Sequence, residues 1–248
     1  MNTVLSDQRR LNCIFYVKND EFYVSLGTSI KINSSLYHYA GNNPVRYVDP
    51  DGNEIINADR LLMQSGNNTK LGKSKELITK VGCVLTAYTR MANALIIDKI
   101  TLEESNKIGV KNNLFTGKDG SENLLTPKNG AALVNAILKE NGIDNLIVSY
   151  EGSYIKTEAI EKYKAISSSE EKYFATVRVN THDVAGNKYD HTMNLDSNSY
   201  VEGACGDDLK FNDTSGVRTH LVDDPSGRKS IFIRMDFFKI TEVKTVED

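Results

Sequence analysis

Apolar residues at Ile78, Val81, Leu85, Tyr88, Met91, Ala92 and Leu95 recur largely at steps of three and four, which gathers them on one face and predicts a helix over Ile78 to Ile97. Cys83, directly after Gly82, falls at or near its amino end. Thr126-Pro127 supplies a capping hydroxyl and a first-turn proline ahead of a second helix through Ala131 to Leu138, and Asn141-Gly142 stops it. A third helix is expected over Thr157 to Ile166, followed by a polar loop from Ser167 to Glu171. After Lys172 the period becomes twofold: Phe174, Thr176 and Arg178 alternate with Ala175, Val177 and Val179. Asp190 to Leu195, Asp208 to Phe211, Val217 to Val222 and Ser230 to Met235 read as further short strands, with turn chemistry at Ala185-Gly186-Asn187-Lys188, Asp196-Ser197-Asn198 and Asp224-Pro225-Ser226-Gly227. Helices first and strands afterwards predict an α+β fold with a helical layer on an antiparallel sheet.

The first 57 residues differ from the rest. They are rich in Asn, Ser and Tyr, alternate apolar and polar positions over Asn12 to Ile32, and end in the turn-forming run Asp49-Pro50-Asp51-Gly52-Asn53. Strands and turns without a core of their own are expected over 1–57, and an independently folding domain over 58–248.

Composition narrows the function classes. The 248 residues carry 30 basic and 33 acidic side chains, a formal net charge of -3, with no concentrated basic stretch, so nucleic acid is not an expected partner. The longest apolar runs, such as Ala94-Leu95-Ile96-Ile97, fall far short of the roughly 20 residues of a membrane-spanning helix. At the amino terminus the short apolar content precedes the pair Arg9-Arg10, the reverse of a secretory signal's order, so no cleavable signal is expected. Three cysteines, Cys13, Cys83 and Cys205, cannot all pair within one chain and show no zinc-ligand spacing; neither a disulfide framework, a metal nor a cofactor is expected. The acidic pairs Asp207-Asp208 and Asp223-Asp224 lack the EF-hand spacing and read as solvated turns.

Cys83 is the informative thiol. A thiol becomes a nucleophile when partly ionised, and both a helix amino terminus and a nearby imidazole favour the thiolate. Four histidines are on offer: His38, His182, His191 and His220. His191 opens a predicted strand, where a rigid backbone can hold its ring toward the helix; His220, in mid-strand, is its competitor. A third group that accepts the imidazole's other N–H would orient it, and Asn212 or Asp213, after the strand following His191, can supply one. The bland readings are a buried small hydrophobe for Cys83, a satisfied strand residue for His191, an Asx turn for Asp213 and a surface amide for Gln64.

Met63-Gln64, Leu71-Gly72, Gly82-Cys83-Val84-Leu85-Thr86, Met91-Ala92-Asn93 and Thr101-Leu102 together resemble the amino-terminal half of papain-like cysteine peptidases of the bacteriocin-processing type. His191 at the head of an apolar strand and Asn212-Asp213 resemble that family's later motifs, with Leu102 and Thr214 where proline is usual. The likeness covers about Leu61 to Phe238. It implies a papain-like fold, Cys83 as nucleophile, His191 as general base, Asp213 as the orienting group and Gln64 as oxyanion donor beside the backbone N–H of Cys83. The implied reaction is peptide-bond cleavage through an acyl-enzyme; deamidation or transglutamination by the same thiol chemistry is the enzymatic alternative, and a binding domain that has lost its site is the alternative from another class.

A second resemblance is confined to Leu36-Tyr37-His38-Tyr39-Ala40-Gly41-Asn42-Asn43-Pro44-Val45-Arg46-Tyr47-Val48-Asp49-Pro50-Asp51-Gly52, which is similar to the end of the core segment of Rhs/YD-repeat proteins. In those proteins a variable carboxy-terminal toxin or effector follows this junction. The resemblance therefore implies that 1–57 is a core remnant and 58–248 an effector module, with a peptide or protein substrate and an immunity protein as partners. Export would then be as part of a larger Rhs-type protein, with cytoplasmic residence otherwise. Asn53 stands where Leu is usual in the self-cleavage motif, which argues against self-cleavage at that position.

Overall fold

The computed structural model describes residues 14–18, 21–25, 29–30, 55–117, 125–166, 169, 171–183, 185–197, 209–215 and 230–243. The chain divides into two compact units, Met1–Val48 and Asp49–Asp248. In the first, β1 (Ile14–Lys18), β2 (Glu21–Ser25) and β3 (Ser29–Ile30) form an antiparallel sheet in that order, with Tyr16 opposite Tyr23. Strands are what the alternation over Asn12 to Ile32 predicts. The Rhs-like segment 36–52, Cys13 and His38 lie outside the described residues.

The second unit is mixed helix and antiparallel sheet, the α+β class expected. Its elements run α1 (Ile78–Val81), α2 (Cys83–Asn93), α3 (Leu102–Lys111), α4 (Pro127–Glu140), β4 (Leu146–Tyr154), α5 (Lys156–Ile166), β5 (Lys172–His182), β6 (Lys188–Leu195), β7 (Phe211–Asn212) and β8 (Ile231–Glu242). Strand order in the sheet is β4-β8-β5-β6-β7. The simple succession of helices and then strands needs correction, because β4 forms before α5 and the last strand, β8, inserts between β4 and β5. Ile55, which composition groups with the amino-terminal part, packs in this unit: it is buried and bridges Tyr173.

The single helix predicted over Ile78 to Ile97 is two. Gly82 ends α1 by donating its N–H to the Ile78 carbonyl at 2.8 Å and starts α2 by accepting from Thr86. A Cβ at Gly82 would lie 2.5 Å from that carbonyl, so the tight junction requires glycine. The helical period survives the break, which is why the pattern alone reads through it. The helix also stops early, at Asn93, whose side chain bonds both the N–H and the carbonyl of Ile100 and turns the chain back. In α4 the expected signals act as read: Thr126 accepts from the Asn129 N–H, Pro127 opens the helix, and Gly142 beyond the Asn141 cap adopts φ +72°.

The sheet is covered on both faces. Ala159, Ile160, Tyr163 and Ile166 of α5 share a buried core with Ala175, Val177 and Val179 of β5, Met193 and Leu195 of β6, Phe211 of β7 and Met235 and Phe237 of β8. On the other face Tyr88 of α2 meets Phe238 edge to face at 5.5 Å, and Asn194 of β6 donates to the Ala87 carbonyl at 3.1 Å. The edge strand β4 is closed at one position by Asn135 of α4, whose amide bonds both the N–H and the carbonyl of Val148. Packed this way, α2 has its amino end beside β6. Among the described residues no helix is long and apolar enough to cross a membrane.

Candidate active site

Cys83 is the first residue of α2 and half-buried. The first N–H groups of a helix lack intrahelical acceptors and carry the positive end of its dipole, so a thiolate is favoured at this position. The backbone N–H groups of Val84 and Thr192 and the imidazole of His191 are near enough to act on the sulfur, and each favours its thiolate form.

The sheet register delivers His191. It lies opposite Val179 of β5, and its ring is 2% exposed. The short pairing of β7 with β6, Asn212 opposite Asn194 and Phe211 opposite Leu195, brings the chain that follows β7 back alongside residues 191–193. There His191 Nε2 and Asp213 Oδ1 lie 2.6 Å apart. The same carboxylate oxygen accepts from the N–H and the hydroxyl of Ser215, each at 2.8 Å, which closes an Asx turn. The turn and the contact with the imidazole, rival readings of Asp213 in the sequence, coexist. Asn212 is not the partner of His191: its carbonyl accepts from Arg90, and its buried side-chain Nδ2 has no hydrogen-bond partner among the described residues.

Gln64 joins the group through Thr214. Its N–H donates to the Thr214 carbonyl at 3.0 Å, its side-chain oxygen faces the Thr214 hydroxyl at 3.4 Å, and its side-chain nitrogen faces the Thr79 carbonyl at 3.5 Å. The Thr214 hydroxyl in turn lies 3.0 Å from the Thr192 carbonyl and 3.4 Å from His191 Nε2. The structure thus brings the four predicted residues to one region, with Gln64 linked to His191 through Thr214. His182 ends β5 opposite Lys188 and takes no part. Cys205 and His220 lie outside the described residues.

The electrostatics favour charge separation. Burial pushes the Cys83 thiol up, but the hydrogen bond and charge of His191, with the two backbone N–H groups, outweigh it and hold the thiol below its ordinary value. Burial would lower His191, yet the bonds to Asp213 and Cys83 raise it to about 9. Burial likewise opposes ionisation of Asp213, and His191 and Ser215 overcome it, keeping the carboxylate ionised well below the usual range. The resting state these shifts favour is a thiolate beside an imidazolium, with a carboxylate behind it.

Residue patterns gave no sign of Arg90 or Thr192. Only the Asp213-Thr214-Ser215 turn carried a local signal, the Asx motif itself. Among the described residues no three His, Cys, Asp or Glu side chains are grouped to hold a metal ion. No family model, no curated protein and no solved structure matches the chain.

Proposed function

We propose that this chain is a papain-like cysteine peptidase that cleaves peptide bonds through an acyl-enzyme and serves as the effector module of an Rhs/YD-repeat protein. What supports the reaction is one imidazole shared between a half-buried thiol at a helix start and a buried carboxylate. The effector role draws its support from the sequence of 36–52.

In this reading the Cys83 thiolate adds to the scissile carbonyl carbon, and the displaced electron pair moves to the oxygen. The N–H groups of the first turn of α2 and the Gln64 amide stabilise that oxyanion. His191 gives its proton to the leaving nitrogen as the C–N bond breaks, which leaves a thioester on Cys83 and a neutral imidazole. His191 then takes a proton from water; the water oxygen attacks the thioester, the C–S bond breaks, and a carboxylic acid departs with the thiolate-imidazolium pair restored. Asp213 holds the ring through both steps.

The test is incubation of a proteome-derived peptide pool with wild-type protein and the Cys83→Ala variant, followed by mass spectrometry of new peptide termini. Cleavage by the wild type alone is the expected result. New termini with both proteins, or with neither, would overturn the peptidase reading; glutamine side chains converted to acids or cross-links with no new termini would replace it by a deamidase or transglutaminase.

A further inference from the structure

Arg90 sits seven residues beyond Cys83 on α2, about 10 Å along the axis, and is 1% exposed. A buried guanidinium is costly unless its donors are satisfied, and five N–H groups in a planar fork are hard to satisfy at once. Here four hydrogen bonds go to main-chain carbonyls from two separate segments. On one side Nε donates to Leu62 at 2.6 Å and Nη2 to Arg60 at 3.4 Å; on the other Nη1 donates to Asn212 at 2.9 Å and Nη2 to Asp213 at 3.2 Å. The Arg90 carbonyl completes the junction by accepting from the Asp59 N–H at 3.0 Å.

Those segments are the ones that carry the site. Leu62 lies two residues before Gln64, and Asp213 is the partner of His191. Among the described residues no carboxylate bonds to the guanidinium directly, although the charges of Asp213 and Asp59 both act favourably on it. A residue placed only to fill the core would not need the donor geometry of arginine; an apolar side chain of similar volume would serve better. The fork instead fixes two backbone strings relative to the helix whose first residue is the thiol.

We propose that Arg90 is a positioning residue, which sets Asp213 and Gln64 against Cys83 by clamping the backbone of both their segments to α2. The proposal rests on the thiol reading above. Lysine cannot reproduce the clamp, because a single ammonium has no planar fork to span two segments.

The experiment compares wild type, Arg90→Lys, Arg90→Met and His191→Ala. Iodoacetamide alkylation of the peptide containing Cys83 is followed by mass spectrometry as a function of pH, alongside kcat, KM and the melting temperature. Expected is a folded Arg90→Lys protein whose alkylation midpoint moves up from the wild-type value toward that of His191→Ala, with kcat lower by roughly tenfold to a hundredfold and KM little changed. If the arginine variants melt lower yet keep the wild-type alkylation midpoint and kcat, Arg90 is structural only and the proposal falls. Should Arg90→Met not fold, Arg90→Lys decides, since it retains the charge and most of the volume. An ordinary thiol midpoint in the wild type itself, unmoved in His191→Ala, is a different result: it removes the thiol reading and this proposal with it.

Discussion

His191 Nε2 and Asp213 Oδ1 meet at 2.6 Å with both side chains closed to solvent, 2% and 0% exposed. That oxygen also takes two donors from Ser215. Three donors on one oxygen leave the carboxylate little freedom to rotate, so a turn of three consecutive residues fixes the direction of the imidazole. The protonated ring gains a charge-assisted bond, and a buried partner of this kind is costly to remove singly.

Replacement of Asp213 by Asn keeps the shape and removes the charge. His191 then loses the largest influence that raises it, so the imidazolium that favours the thiolate persists only to a lower pH. We expect kcat on a cleavable peptide to fall by roughly two to four orders of magnitude, as for the equivalent loss in other nucleophile-base-acid triads, with the alkaline limb of the pH profile displaced to lower pH. Steady-state kinetics across pH measures both; an unchanged alkaline limb would detach Asp213 from the imidazole.

The wild-type pH profile follows from the signs of the shifts. The active ion pair needs Cys83 deprotonated and His191 protonated, so activity rises as the depressed thiol ionises and declines as pH passes about 9, where His191 loses its proton. Stability has its own sign. Asp213 is depressed in the folded protein, so its contribution is fully present above the unfolded carboxylate value of about 3.9 and is lost as pH falls toward the lower folded value. Melting temperatures recorded below about pH 4 should therefore fall more steeply for wild type than for Asp213→Asn; parallel curves would contradict the depressed carboxylate.

What the sequence made legible follows how local each signal is. The helix α4 was readable because Thr126, Pro127 and Asn141-Gly142 mark its ends in adjacent residues, and β5 because its alternation runs unbroken. The helix α3 was not, since Leu102 and Ile108 are too few for a periodic signal; the available sign was the capping box of Thr101 and Glu104, present in the structure. The strand β4 was hidden by its exposed Ile147 and by Gly152, where the pairing with β8 shifts register. For the site, residue types at Cys83 and His191 were suggestive, but their meeting across 108 positions depends on sheet order, which no local pattern encodes. Arg90 was illegible because a buried arginine and a surface arginine look alike in a helical repeat.

Two glycines separate stability from chemistry. A Cβ at Gly130 would come within 2.2 Å of the Tyr88 ring, forcing α4 away from α2. We expect Gly130→Ala to cost about 1–3 kcal/mol, the usual penalty of overpacking, with activity kept at temperatures where the protein stays folded. Gly82→Ala meets a backbone oxygen instead, and the backbone it displaces is the one that carries Cys83. Its loss of kcat should exceed what its loss of stability explains. Chemical denaturation beside kcat for both variants tests the contrast, and equal behaviour would deny the Gly82 junction any influence on the thiol.

Gln64 is held loosely for a buried residue. Its side-chain contacts, 3.4 Å to the Thr214 hydroxyl and 3.5 Å to the Thr79 carbonyl, lie at the long limit of hydrogen bonding, whereas its backbone N–H is anchored to Thr214 at 3.0 Å. A fixed main chain with a weakly engaged amide can redirect its N–H₂ toward a developing oxyanion while giving up little in the ground state, and an interaction gained only in the transition state raises kcat without tightening substrate binding. Gln64→Ala should accordingly lower kcat by roughly 10²- to 10³-fold, the typical loss for one oxyanion donor, with KM and the alkylation midpoint of Cys83 close to wild type. Gln64→Glu should fare no better, because a carboxylate repels the charge the amide would stabilise. If Gln64→Ala keeps kcat within about twofold, a change worth only ~0.4 kcal/mol of barrier, the oxyanion is served by the first turn of α2 alone.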